Sequence, residues 1–123
     1  MELMRVLVAD DSRVMRQIVI RTLRQAGYDW WEISEVADGA AALEHVKTEK
    51  PDFVLSDWNM PEMTGIDLLR TMRSQGIDIP LGFVTSEGSA EMREQAEAAG
   101  ALFLIAKPFN AEIFRETIDP FLA

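Results

Sequence analysis

Apolar runs of strand length punctuate the chain at Val6–Ala9, Ile33–Ala37, Phe53–Ser56, Leu81–Val84 and Leu102–Ala106, and segments of helical length separate them. The first, third and fifth runs are continuously apolar, as strands covered on both faces of a parallel sheet must be. In the intervening segments apolar residues recur at helical spacing. They are Met15, Ile18, Val19, Thr22, Leu23 and Ala26; then Ala42, Leu43 and Val46; then Gly65, Leu68, Leu69 and Met72. Met92, Ala96 and Ala99 follow, and finally Ile113, Phe114, Thr117, Ile118 and Phe121. Gly27, Gly76 and Gly100 stand where the first, third and fourth helices should stop. Asp38-Gly39 reads as a turn into the second helix, Asn110 as the cap of the fifth, and Pro120 as its end. A β-α unit repeated five times predicts an α/β fold with a doubly wound parallel sheet, whose ligand site lies beyond the carboxyl ends of the strands.

At 123 residues, 48% of them hydrophobic, the chain can bury a core as one domain spanning residues 1–123. No repeat, low-complexity stretch or Gly/Ser-rich linker divides it. The absence of cysteine removes disulfides, thiolate metal sites and cysteine nucleophiles from consideration. A net charge of −9 opposes direct contact with nucleic-acid phosphates or anionic lipid. Glu2 and Arg5 interrupt the N-terminal apolar run, and no apolar stretch approaches membrane-spanning length, so neither a signal peptide nor membrane insertion is expected. A cytoplasmic location is the expectation.

The chemistry collects at the predicted strand ends. Asp10 and Asp11 follow the first run, Asp57 the third, Thr85 the fourth and Lys107 the fifth. In a doubly wound sheet the ends of the first and third strands lie side by side, which gathers the three carboxylates into a small volume. Unit charges about 4 Å apart repel by roughly 4 kcal/mol at an effective dielectric of 20, so such a cluster calls for cations. Oxygen ligands with water completing the shell suit Mg²⁺. A carboxylate beside Mg²⁺ and a lysine can attack a phosphoryl donor to give an aspartyl phosphate, with Lys107 and the Thr85 hydroxyl meeting the new phosphoryl oxygens.

Asp10-Asp11, Asp57, Thr85-Ser86 and Lys107-Pro108-Phe109 together resemble the signature of the response-regulator receiver domains, in order and over essentially the whole chain. Ser56-Asp57-Trp58-Asn59-Met60-Pro61, followed by Thr64-Gly65 and Leu68-Leu69, is especially similar to the single-domain chemotaxis members of that family. The resemblance implies a flavodoxin-like sheet of strand order 2-1-3-4-5. It implies Asp57 as phosphoacceptor, Mg²⁺ held by Asp11, Asp57 and the backbone carbonyl of Asn59, and Asp10 holding metal-bound water. Thr85 and Lys107 would contact the phosphoryl group, with a cis Lys107–Pro108 bond aiming the lysine inward. Asn59 and Glu87 would tune dephosphorylation. A partner histidine kinase or phosphotransfer protein would supply the phosphoryl group, and a downstream protein would read a changed α4-β5-α5 surface of a monomer or weak dimer. The domain would be no enzyme toward other substrates. Leu104 departs from the pattern, standing where the family often has Tyr or Phe, so Thr85 and Leu104 are the candidate switch pair.

Other readings of the same residues are simpler. An Asp-Asp pair commonly caps a helix, and Thr85, Ser86 and Ser89 compete to cap the fourth one. Trp58 is expected to be partly exposed over the pocket, with Trp30 and Trp31 packing at the start of the second strand. His45 and the row Glu91, Glu94 and Glu97 read as solvated helix faces, and Met15, Met72 and Met92 as core filler. A haloacid-dehalogenase-type phosphohydrolase would need an Asp-x-Asp pair after the first strand, which the chain lacks. A phosphorylation-independent docking module, or a receiver cut from a longer regulator with an output domain, are the remaining alternatives.

Overall fold

A computed structural model describes residues 4–122, so the N-terminal reading at Glu2 lies outside the described residues. The elements are β1 (Arg5–Ala9), α1 (Arg13–Leu23), β2 (Glu32–Val36), α2 (Gly39–Thr48), β3 (Phe53–Ser56), α3 (Gly65–Ser74), β4 (Leu81–Thr85), α4 (Ala90–Ala99), β5 (Leu104–Ala106) and α5 (Ala111–Ile118). All strand pairs are parallel and the order is β2-β1-β3-β4-β5, the flavodoxin-like arrangement.

Alternate strand residues supply two cores. Leu7, Val54, Phe83 and Leu104 face α2, α3 and α4, where Ala42, Leu68, Leu69, Met72 and Ala96 meet them. Val6, Val8, Leu55, Val84 and Ile105 face α1 and α5, against Val19, Leu23, Phe114 and Ile118. Side chains on both faces of β1 and β3 are buried beyond Arg5, as their continuously apolar runs imply, and β4 is buried throughout; β5, equally apolar in sequence, is an edge strand and leaves Ala106 only partly covered.

Every helix starts on a polar cap: Ser12, Asp38, Thr64, Ser89 and Asn110 each accept a backbone N–H from the first turn. Ser89, not Thr85 or Ser86, caps α4. Gly27 takes φ +103° at the close of a wide turn that continues α1, and Gly100 takes φ +95° after α4. α5 passes into a single 3-10 turn, Asp119–Phe121, containing Pro120.

Three local expectations need correction. β5 begins at Leu104 rather than Leu102, although Leu102 and Phe103 already bond to β4 through Leu102 N–H to the Leu81 carbonyl (2.9 Å) and Phe83 N–H to the Phe103 carbonyl (3.0 Å). β2 runs one residue earlier than expected at both ends, fixed by the register Arg5 to Glu32 and Ala9 to Val36. Gly39 is the first residue of α2, and its lack of a side chain serves close approach, because a Cβ there would sit 2.1 Å from the Met63 carbonyl oxygen.

Candidate functional site

The site is assembled by the loops at the carboxyl end of the sheet. Asp57 N–H donates to the Ala9 carbonyl at 2.8 Å, so the last bond between β1 and β3 sets the acceptor candidate directly beside Asp10 and Asp11. Carboxylate oxygens of Asp10, Asp11 and Asp57 all lie within 4.8 Å of one another. Asp10 is buried and its carboxylate accepts the Ser12 N–H at 2.9 Å, whereas Asp11 is exposed. Asp57 is half-buried, with one oxygen accepting the Trp58 N–H at 2.8 Å. A void of only about 10 Å³ adjoins Asp10 and Asp57 on the core side, lined also by Val8, Val19, Leu55 and Val84.

Burial pushes the Asp57 carboxyl up to about 6, and the charge of Asp10 adds to this against the pull of the Trp58 N–H and Lys107. Asp10 is also raised, chiefly by burial, with Asp11 adding to the shift and the Ser12 N–H and Lys107 opposing it. The cluster is short of positive charge even with the lysine present. Its donor set fits a hard divalent cation: three carboxylates, no nitrogen or sulfur, and an open side for water. Oxygens 2.0–2.1 Å from a shared Mg²⁺ stand at most about 4.2 Å apart, so carboxylates within 4.8 Å need only a small contraction or one intervening water.

Lys107 follows β5, half-buried, with its N–H on the Thr85 carbonyl at 3.0 Å and a cis bond to Pro108. Its charge acts on both Asp10 and Asp57. Thr85 ends β4 completely buried, and its hydroxyl oxygen accepts the Glu87 N–H at 3.3 Å, which leaves the hydroxyl proton free to donate. Asn59 and Glu87 are exposed in the loops after β3 and β4. Leu104 is buried opposite Phe83 in the β4–β5 register, and its carbonyl accepts from the Arg93 guanidinium of α4 at 3.0 Å.

Trp58 does not cover the pocket. It is 8% exposed and tilts against Phe83 with ring centroids 4.9 Å apart, because the residue after Asp57 faces the core under α3. Trp31 packs at the start of β2 as expected, but Trp30 is 43% exposed. His45 is half-buried on α2 rather than fully solvated, while Glu91, Glu94 and Glu97 are exposed.

Gly65 entered the sequence reading only as part of a helical face and of the Thr64-Gly65 motif, yet the loop after Asp57 depends on it. A Cβ there would stand 2.2 Å from the Asp57 carbonyl oxygen and 2.8 Å from the Phe83 ring, and the Gly65 N–H donates to the Trp58 carbonyl at 2.7 Å. Only a glycine lets α3 begin this close to Asp57.

Residues 6–119 match the family described as the response regulator receiver domain. The chain belongs to that family. As a receiver domain it is 37% identical to the chemotaxis protein CheY of Pseudomonas aeruginosa over 94% of both chains. It is 39% identical to CheY-3 of Vibrio cholerae, over 94% of this chain and 89% of the relative. Among solved structures, the receiver superposes on the V. cholerae chemotaxis protein CheY4 with a TM-score of 0.83 at 36% identity, covering 97% of this chain and 98% of the other. It superposes on the signal receiver domain of the response regulator NarL from Mycobacterium tuberculosis with a TM-score of 0.84 at 28% identity, covering 98% and 97%.

Proposed function

We propose that this receiver domain is a phosphorylation-operated switch whose acceptor is Asp57. The observation that carries the reading is the placing of Asp57 against Asp10 and Asp11 with Lys107 acting on the same charges, in a chain of the receiver family. Asp10, Asp11, Asp57 and the Asn59 carbonyl would hold Mg²⁺, which supplies positive charge for the negatively charged phosphoryl group. An Asp57 carboxylate oxygen attacks phosphorus as the bond from phosphorus to the donor's imidazole nitrogen breaks, and the imidazole leaves. Later a water oxygen attacks the same phosphorus, the bond to Asp57 breaks, and inorganic phosphate departs with the water's proton shared between it and solvent. Asn59 and Glu87 flank that water's path. The domain catalyses these steps only on itself.

The donor is a histidine kinase or phosphotransfer protein, and the reader is a separate protein that meets the α4-β5-α5 face, in the cytoplasm. The names of the relatives favour a chemotaxis role. Thr85 donates its free hydroxyl proton to the phosphoryl oxygens, and the Glu87 N–H that its oxygen accepts carries the loop before α4 along with it. That loop rests on β5 through Gly88, where a Cβ would lie 2.7 Å from Ala106 Cβ and 3.3 Å from the Arg93 guanidinium. Movement there therefore loads the bond from Arg93 to Leu104, a backbone link that needs no aromatic ring at position 104.

Incubation with Mg²⁺ and a small acyl phosphate tests the acceptor. Intact mass should rise by one phosphoryl group in the parent and not in Asp57→Asn, because an amide cannot serve as this nucleophile. Full phosphorylation of Asp57→Asn would sink the assignment.

A further inference from the structure

Two of the three clustered carboxylates sit on the turn between β1 and α1, and the way that turn is held singles out a residue outside the cluster. Asp10 N–H donates to the Val36 carbonyl of β2 at 3.2 Å. At the start of α1 the Arg16 N–H donates to the carbonyl of the capping Ser12 at 2.9 Å, the first bond of the helix. The Arg16 side chain then doubles back along the turn. Its Nη1 donates to the Asp10 carbonyl at 2.8 Å and its Nε to Glu35 Oε1 at 3.0 Å. The Arg16 side chain thus ties the start of the turn, at Asp10, to Glu35 of β2.

Arg16 differs from its neighbours in burial: its side chain is 15% exposed, while Arg13 and Arg21 on the same helix, and Arg24 just after it, are exposed. Exposed ion pairs contribute little, but a largely covered guanidinium with two charge-assisted bonds in its fixed fork geometry is a directional tether. The carbonyl it holds belongs to Asp10, immediately before Asp11. Repulsion among the three carboxylates favours opening the turn whenever no cation is bound, and the tether opposes that opening. Mg²⁺ demands near-octahedral geometry, so a turn that drifts by about 1 Å presents the wrong oxygen positions and must be reordered on binding.

We propose that Arg16, backed by Glu35, is a positioning residue that keeps Asp10 and Asp11 preorganised around the divalent cation, so that its loss is felt in Mg²⁺ affinity more than in the stability of the sheet. The inference rests on the reading of the acidic cluster as a Mg²⁺ site. Arg73 provides an internal control, because its Nη1 ties the Ile77 and Ile79 carbonyls at 2.7 and 3.0 Å in the connection before β4, at the opposite end of the sheet.

Calorimetric titration of Mg²⁺ into the parent, Arg16→Met, Glu35→Ala and Arg73→Met, paired with urea melts in chelator, separates the possibilities. Arg16→Met should weaken Mg²⁺ binding by about tenfold or more, in the range seen when groups behind metal ligands are removed. Glu35→Ala should weaken it less, since the bond to the Asp10 carbonyl survives. Arg73→Met should melt at lower urea yet bind Mg²⁺ as the parent does. Parental Mg²⁺ affinity in Arg16→Met overturns the proposal, and so does equal weakening in Arg73→Met, which would mean general loosening. If Arg16→Met does not fold, Arg16→Lys takes its place: lysine keeps the charge but lacks the fork, and undiminished affinity there overturns the role. A parent that binds no Mg²⁺ fails at the earlier step, removing the metal site and the role together.

Discussion

At the carboxyl end of the sheet, Asp10, Asp11 and Asp57 crowd like charges into one small volume, and Asp57 is held up to about 6 by burial and by Asp10. At the amino end, rings touch in a row. Tyr28 stacks on Trp31 at 4.3 Å, Trp31 meets Phe53 edge-on at 6.3 Å, Phe53 meets Phe103 at 6.0 Å, and Phe103 meets Phe121 at 6.0 Å. The Tyr28 hydroxyl donates to Asp119, and the Arg115 guanidinium holds the Ala26 carbonyl at 3.1 Å, joining the end of α1 to α5. One end keeps polar groups under tension where a ligand can relieve it, and the other contributes apolar contact that holds the layers together, while leaving one buried indole N–H on Trp31 without a partner among the described residues. The same strands carry both, so stability and chemistry can be separated by substitution.

The largest effect should come from the aromatic end. Trp31→Ala removes the ring between Tyr28 and Phe53 and should destabilise the fold by about 3–5 kcal/mol, seen as a lower urea midpoint. The rate of phosphorylation per folded molecule should not change, and a specific loss of rate would show that the two ends are coupled.

Leu104→Ala should lower stability by about 2–3 kcal/mol, because Leu104 is buried under α4, while still allowing phosphorylation. Chemical shifts of α4 and α5 should still respond to the phosphoryl group through the backbone bond to Arg93, which the substitution retains. Thr85→Ala should abolish that response by removing the donating hydroxyl. Equal loss in both variants would make the Leu104 side chain an obligatory relay.

Asp57→Asn acts in the opposite direction at the acidic end. Removing one charge from the cluster should raise stability at neutral pH by about 1 kcal/mol after solvent screening is allowed for. Lower stability would mean that the carboxylates are not in conflict.

The smallest effect is a slope with pH. The folded Asp57 carboxyl titrates at about 6, above the roughly 3.9 of an unfolded chain, so between those values the folded state keeps a proton that the unfolded state has released. Its contribution to stability is therefore fully present below about pH 4 and lost as pH rises through 6. Melts in chelator from pH 4 to 7 should show this decline in the parent and a shallower one in Asp57→Asn.

Much of this architecture was legible in the apolar runs, because burial on both faces leaves Val6–Ala9 of β1 and Phe53–Leu55 of β3 without a polar side chain. The strand-end residues could be brought together on paper for the same topological reason. Arg16 could not be singled out, since nothing in its spacing separates it from Arg13, Arg21 and Arg24; only the path of its side chain does. Gly39 read as part of a turn and Gly65 as one position of a helical face, and their role depends on contacts with Met63 and Asp57 that are made across loops. Trp58 was misjudged because adjacency to a solvent-facing residue says nothing about the other side of a strand end.

The three tryptophans occupy three optical environments. Trp30, 43% exposed, should emit toward the red and be quenched by iodide, whereas Trp31 and Trp58, 6% and 8% exposed, should emit toward the blue and resist it. Trp31 has an indole N–H with no hydrogen-bond partner among the described residues and a tyrosine stacked on its face, and it lies far down the sheet from Asp57. Of the three, Trp58 alone adjoins Asp57, with its backbone N–H on the Asp57 carboxylate. Unfiltered emission therefore mixes one local signal with two distant backgrounds; Trp30→Phe, or iodide on the parent, removes the exposed one, and a Trp30→Phe/Trp31→Phe protein would leave Trp58 alone to report on Asp57.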